Sequence, residues 1–134
     1  MRIERITAIN EKTVESFNRL IPQLVGRDDF PSLNDLEDII KSDNIHLLVA
    51  IEEEEILGSL AIAMYRIPTG KKAIIEDVVV DAQARGKGVA SKLMQRAIET
   101  ARENGARKIE LTSNPTRVAA NKLYANLSFK VRDT

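Results

Sequence analysis

Gly86-Lys87-Gly88, with Arg85 before it, separates a β-branched run ending at Val80 from a helical run that begins near Val89. A glycine turn opening a helix makes an anion site. The N–H groups of the helix's first turn have no acceptor within the helix, the macrodipole adds about half a positive charge, and glycine lets a ligand approach the backbone closely. Arg85 and Lys87 add full positive charges. The chemistry implied is capture of a phosphate-bearing ligand, with a pyrophosphate the expected form.

The elements that must position this turn can be read on either side of it. Ala73–Val80 reads as a strand, and its Val78-Val79-Val80 run predicts burial on both faces, hence the centre of a sheet. After the turn, Ala90, Leu93, Met94, Ala97, Ile98 and Ala101 form the apolar stripe of a helix that Asn104-Gly105 ends, with Arg85, Lys92 and Arg96 toward its other side. Upstream, residues 2–8 read as a short strand. Val14, Phe17, Leu20, Ile21 and Leu24 then recur at helical spacing between an N-cap at Asn10 and a terminator at Gly26, and Pro22 either kinks this helix or ends it early. Ser32 with Asp35 predicts a capping box for a second helix carrying Leu33, Leu36, Ile39 and Ile40. His46–Glu52 and Ile56–Arg66 predict an antiparallel hairpin whose acidic Glu52–Glu55 connection is a solvated turn. Pro68, Thr69, Gly70 and two lysines mark the next turn. Downstream, Lys108–Thr112 reads as a strand, Ser113–Thr116 as a turn, Arg117–Leu127 as a helix, and Phe129–Arg132 as the start of a last strand.

The 134 residues fit one domain, spanning 1–134. A hydrophobic content of 43% with 30% charged residues is that of an ordinary soluble globular chain. Twenty basic residues balance twenty acidic ones, so global charge gives no reason to expect nucleic acid or an anionic membrane as partner. A nucleic-acid surface built on Arg85, Lys92 and Arg96 is further disfavoured by the presence of only two Tyr, three Phe and no Trp. The absence of Cys removes disulfides, thiolate metal sites and a cysteine nucleophile, and a single His excludes an all-histidine metal site. No apolar run approaches the roughly 20 residues of a membrane span, and the expected location is the cytoplasm.

Two phosphate motifs fail at this turn. In a dinucleotide-binding turn the first glycine directly follows the strand, whereas Asp81–Arg85 intervenes here after Val80, although Glu110 lies at a spacing suited to a ribose contact. A Walker A loop needs an upstream glycine and a Ser or Thr directly after the lysine, and neither is present. Gln83-x-x-Gly86-x-Gly88, in contrast, resembles the Arg/Gln-x-x-Gly-x-Gly/Ala signature of acyl-CoA binding in the GNAT superfamily of N-acyltransferases. The resemblance covers nearly the whole chain, through the order of elements and through Ala119–Phe129, which is similar to the family's Asn-x-x-x-x-Tyr-x-x-x-Gly-Phe pattern with Ser128 where Gly is usual. The chain stops at Thr134, where relatives commonly have another strand; that strand is missing, dispensed with, or supplied by a partner.

The fold this resemblance implies is α+β: a mixed, mostly antiparallel sheet flanked by helices on both faces, with a splayed central strand pair. The activity implied is transfer of an acetyl group from acetyl-CoA to a primary amine by direct attack in a ternary complex, without a metal. Backbone N–H groups around Gln83, Arg85, Gly86, Lys87, Gly88 and Val89 would hold the pyrophosphate, with the side chains of Arg85, Lys87 and Lys92 assisting. Backbone groups of Val78 and Val80 would pair with the pantetheine arm, and an N–H near Val78 would polarise the thioester carbonyl. Asn121 matches a CoA-contacting position and Tyr124 the general acid. With reference pKa values of about 10 for Tyr and about 8.5 for a thiol, Tyr124 stays protonated at neutral pH and can donate to the departing thiolate. The acceptor is harder, because a lysine-like amine costs about 4–5 kcal/mol to deprotonate at pH 7. Glu76 stands where members often place a carboxylate for that purpose, and Asp77 would face the opposite way on a regular strand. Asp28, Asp29 and Phe30 fall in the connection that borders the acceptor cleft in this family, with Tyr65 and Arg66 also expected near it. Ile75–Val80 is similar to glucosamine-6-phosphate N-acetyltransferases, which makes an amino-sugar phosphate one acceptor among polyamines, aminoglycosides, amino acids and protein amines. Members of the family often form homodimers. The alternative from another class is a catalytically silent acyl-CoA-binding or regulatory module.

Overall fold

Asn10 and Gly26 bound the first helix, as their residue types dictate. The structure, a computed structural model, describes residues 1–26, 30–113 and 130–133. Helix α1 spans Glu11–Val25: Asn10 Oδ1 accepts from the Thr13 N–H at 2.9 Å, and Gly26 closes the other end in the left-handed region at φ 73°. Pro22 neither ends nor shortens it. The residue lies in the last turn, where its carbonyl accepts from the Gly26 N–H at 2.9 Å and only one helical donor is lost. Helix α2, Leu33–Lys41, opens with the capping box that Ser32 and Asp35 predict, both reciprocal bonds being present.

Among the described residues six strands form one sheet in spatial order β1 to β6: β1 Arg2–Arg5, β2 Ile45–Glu52, β3 Glu55–Ile67, β4 Gly70–Val80, β5 Lys108–Ser113 and β6 Lys130–Asp133. β1 to β4 pair antiparallel, while β4 with β5 and β5 with β6 pair parallel. The sheet is mixed and mostly antiparallel, as the resemblance implies. Period-two alternation divides its side chains between two layers. Leu47, Val49 and Val79 pack under Phe17 and Leu20 of α1 and Leu36 of α2. Leu48, Leu60, Ile62 and Ile75 meet the third helix, α3 (Val89–Glu103), through Leu93, Met94, Ala97 and Ala101. Helices therefore cover both faces.

β4 is longer than its apolar run suggests, because Lys71 and Lys72 pair with Arg66 and Tyr65 and extend the hairpin to a tight Pro68-Thr69 turn. It is also irregular. Ala61 pairs with Glu76 and Ser59 with Val79, so two residues of β4, Asp77 and Val78, stand opposite Leu60 alone. This is a β-bulge, with Asp77 at φ 55°. The extra residue resets the alternation, so that Val78 joins Ile75 in the α3 layer and Val79 joins the layer of α1 and α2. The β4–β5 ladder runs from Lys72 opposite Lys108 to Ile75 opposite Leu111 and stops there, although β4 continues to Val80.

Candidate functional site

The turn after β4 is built in two parts. Asp81 starts a single 3-10 turn at Ala82–Ala84, with its Oδ1 accepting from the Gln83 N–H at 3.2 Å and its carbonyl from the Ala84 N–H at 2.8 Å. Gly86 and Gly88 then turn the chain into α3 at φ 83° and 78°. A β-carbon on either glycine would meet open space, so what requires glycine here is the backbone conformation. Gly88 is the N-cap residue of α3 and has no side chain to cap it. Bonding within the helix begins with the Lys92 N–H donating to Gly88 O at 3.1 Å, so the amides of the first turn stand in the position that binds anions.

A cavity of about 200 Å³ opens on this turn, lined by Val80, Arg85, Gly86, Gly88, Val89 and Ser91 among others. It brings together one end of the bulged strand, both glycines and the start of α3. Val89 is buried in the core and also lines the cavity. Gln83 and Lys87 line a neighbouring cavity of about 380 Å³ with Arg19, Leu57 and Asp81. The Gln83 N–H donates to Asp81, so this backbone amide already has an acceptor. Lys92 and Arg96 are exposed on α3, and Arg96 lies 3.9 Å from Glu99.

Glu76 is exposed and pairs with Ala61, which places it on the sheet face of α1 and α2 at the residue before the bulge. Asp77 is exposed too, but the bulge removes the regular alternation by which the two carboxylates would face opposite ways. Val78 is buried and Val80 half-buried, both beyond the end of the β4–β5 ladder. Tyr65 and Phe30 are 40% and 50% exposed, large apolar surfaces left open on the molecule. His46 of β2 pairs with Ile62 of β3, and burial, reinforced by the charges of Arg5 and Lys71, pushes its pKa below the usual histidine value. Asn121 and Tyr124 lie outside the described residues, as do Asp28, Asp29 and the helix expected over 117–127. Among the described residues no group of three or more His, Asp or Glu side chains is placed to hold a metal ion. No helix among them is long and apolar enough to cross a membrane.

Sequence reasoning missed three residues that shape the site. Gly58 of β3 allows β4 and α3 to close on it, and Arg19 and Gln23 of α1 bond to the Asp81 turn. Their sequence neighbourhoods carry no signal of these long-range contacts.

A profile of the Acetyltransferase (GNAT) family matches residues 10–129, and the chain belongs to that family. The family uses acetyl-CoA as its cosubstrate. Among curated proteins, the chain is 46% identical over 46 residues to a probable glucosamine 6-phosphate N-acetyltransferase 2 of Oryza sativa subsp. japonica, covering 34% of this chain and 28% of that protein. It is 35% identical over 75 residues to glucosamine 6-phosphate N-acetyltransferase 1 of the same organism, covering 51% of this chain and 46% of that one. The matched stretch is thus less than half the length of either relative. Among solved structures, a protein of Bacillus halodurans C-125 described as a transcriptional regulator superposes with a TM-score of 0.82 at 31% identity, covering 96% of this chain and 93% of that one. An aminoglycoside acetyltransferase from an uncultured soil metagenomic sample shares the fold at a TM-score of 0.84 and 21% identity, with 99% and 90% of the two chains covered.

Proposed function

We propose that residues 1–134 form one acyl-CoA N-acyltransferase domain that moves an acetyl group from acetyl-CoA to a primary amine, the amine attacking the thioester carbonyl directly in a ternary complex. The observation that carries this reading is the junction of β4 and α3. Two glycines at positive φ lead into a helix with no side-chain cap, and a cavity opens between them and Val80. A pyrophosphate fits there, held by backbone N–H groups of Gly86, Gly88 and Val89 and by the charges of Arg85 and Lys87. The pantetheine arm would run beside Val78 and Val80, at the end of β4 that leads into the turn. Asn121 and Tyr124 keep the roles that the family resemblance gives them, contact to CoA and proton donation to the leaving thiolate.

Glu76 is the base for the acceptor, directly or through one water. Its exposure and its place at the bulge suit a carboxylate that must meet an incoming cationic amine. An amino-sugar phosphate heads the acceptors to test because both rice relatives are named for one. Steady-state acetylation across a panel of amines, with Glu76→Gln beside the wild type, tests the assignment. Loss of a proton-transfer partner should lower kcat about a hundred-fold and flatten its rise with pH. An unchanged kcat would remove Glu76 from the mechanism.

A second reading is favoured by one observation, the description of the similar Bacillus halodurans structure as a transcriptional regulator. In that reading the fold keeps the cosubstrate cleft and serves as an acyl-CoA-responsive module. Tight binding of acetyl-CoA with no turnover on any amine would select it.

A further inference from the structure

The segment from Asp81 to Gly88 belongs to no strand and is mostly exposed, yet it would have to hold its amides still to bind a pyrophosphate. Its restraint comes from α1, a distant part of the chain. Arg19 donates from Nε to Asp81 Oδ2 at 2.9 Å and from Nη2 to the Ile56 carbonyl at 2.8 Å. One helical turn later Gln23 Oε1 accepts from the Ala82 N–H at 2.8 Å, while Gln23 Nε2 donates to Arg19 O at 3.1 Å. Asp81 passes the restraint on: its N–H donates to Leu57 O at 2.8 Å, and it caps the 3-10 turn that leads to Gly86.

We infer that Arg19 is a positioning residue for the cosubstrate turn, fixing Asp81 so that the turn leading to Gly86 and Gly88 is ordered before ligand arrives. Asp81 is 13% exposed and Arg19 41%, so the aspartate is the more enclosed member and the arginine reaches to it from α1. Burial alone would raise the Asp81 pKa, but the Gln83 N–H and then Arg19 outweigh it and hold the carboxyl below its usual range. A half-exposed ion pair adds little to global stability. Its effect on binding is larger in proportion, because ordering a loose loop is subtracted from ligand affinity. The inference rests on the acyl-CoA reading of the turn.

The test is calorimetric titration of CoA into the wild type, Arg19→Met, Arg19→Lys, Asp81→Asn and the Arg19→Met/Asp81→Asn double variant, with thermal unfolding of each and the KM for acetyl-CoA. Arg19→Met should weaken CoA about five- to ten-fold and raise that KM in step, with kcat kept within about two-fold, as expected for one charge-assisted hydrogen-bonded pair. Arg19→Lys should recover part of the loss, and the double variant should bind no worse than Asp81→Asn alone. Wild-type affinity in Arg19→Met, or losses that simply add in the double variant, overturns the inference while leaving the acyl-CoA reading intact. Absence of CoA binding by the wild type overturns that reading, and the inference with it.

Discussion

Gly58 passes so close to Val79 that a β-carbon on it would lie 2.9 Å from the Val79 carbonyl oxygen. The same atom would lie 3.0 Å from Val89 Cγ1 and 3.3 Å from Leu93 Cδ1, the side chains that begin α3. The glycine therefore sets how near the bulged strand and the helix N-terminus come to each other. Gly58→Ala should cost about 1–3 kcal/mol through overpacking against backbone that cannot swing aside. Urea denaturation measures this, and wild-type stability in the variant would show that the layers have room to move apart.

The bulge makes its own prediction at Asp77, which holds φ 55° without being glycine. Asp tolerates this region better than β-branched residues, which it penalises most. Asp77→Gly should be neutral or stabilising by up to about 1 kcal/mol, whereas Asp77→Val should cost about 1–2 kcal/mol. Equal stability of the two variants in denaturant titrations would mean that the strand runs regularly there.

Glu53 and Glu54 form the two-residue turn between β2 and β3, both at positive φ, 50° and 67°. That conformation suits Asn-Gly and strains a glutamate. Glu54 pairs with Arg2 at 3.5 Å between exposed side chains, which contributes little. The double substitution Glu53→Asn/Glu54→Gly should raise stability by about 1 kcal/mol. A lower melting temperature would contradict the turn geometry.

His46 supplies a pH dependence with a defined sign. Its folded-state pKa lies below the unfolded value because burial, Arg5 and Lys71 all disfavour the imidazolium. The folded state thus favours neutral histidine, and this contribution to stability is present above the unfolded pKa of about 6.5 and lost as pH falls below it toward the folded value. Melting temperature measured from pH 7.5 down to 5 should decline more steeply in the wild type than in His46→Gln. Parallel profiles would remove His46 as the cause.

Local chemistry made much of this fold legible. Asn10, Gly26 and the Ser32–Asp35 box bound their helices because capping is decided by nearest neighbours. Gly86 and Gly88 marked the turn into α3 for the same reason. Pro22 does not end its helix early because its cost depends on which turn it occupies, and the last turn tolerates it. Lys71 and Lys72 read as turn residues but are held in β4 by Arg66 and Tyr65 across the hairpin. The bulge at Asp77 was invisible, since no glycine announces it and register is a property of two strands together. Arg19 likewise had no local signal, its partner standing 62 residues further along the chain.

The most direct test of the central claim is calorimetric titration of acetyl-CoA, CoA and NAD into the protein beside Gly86→Glu. Gly86 holds φ 83°, so the glutamate would strain the backbone as well as place a negative charge where phosphates must sit. The account predicts that acetyl-CoA and CoA bind the wild type, that NAD does not, and that the variant keeps its fold by circular dichroism while losing both CoA ligands. Failure of either CoA species to bind the wild type, or undiminished binding by folded Gly86→Glu, would contradict it.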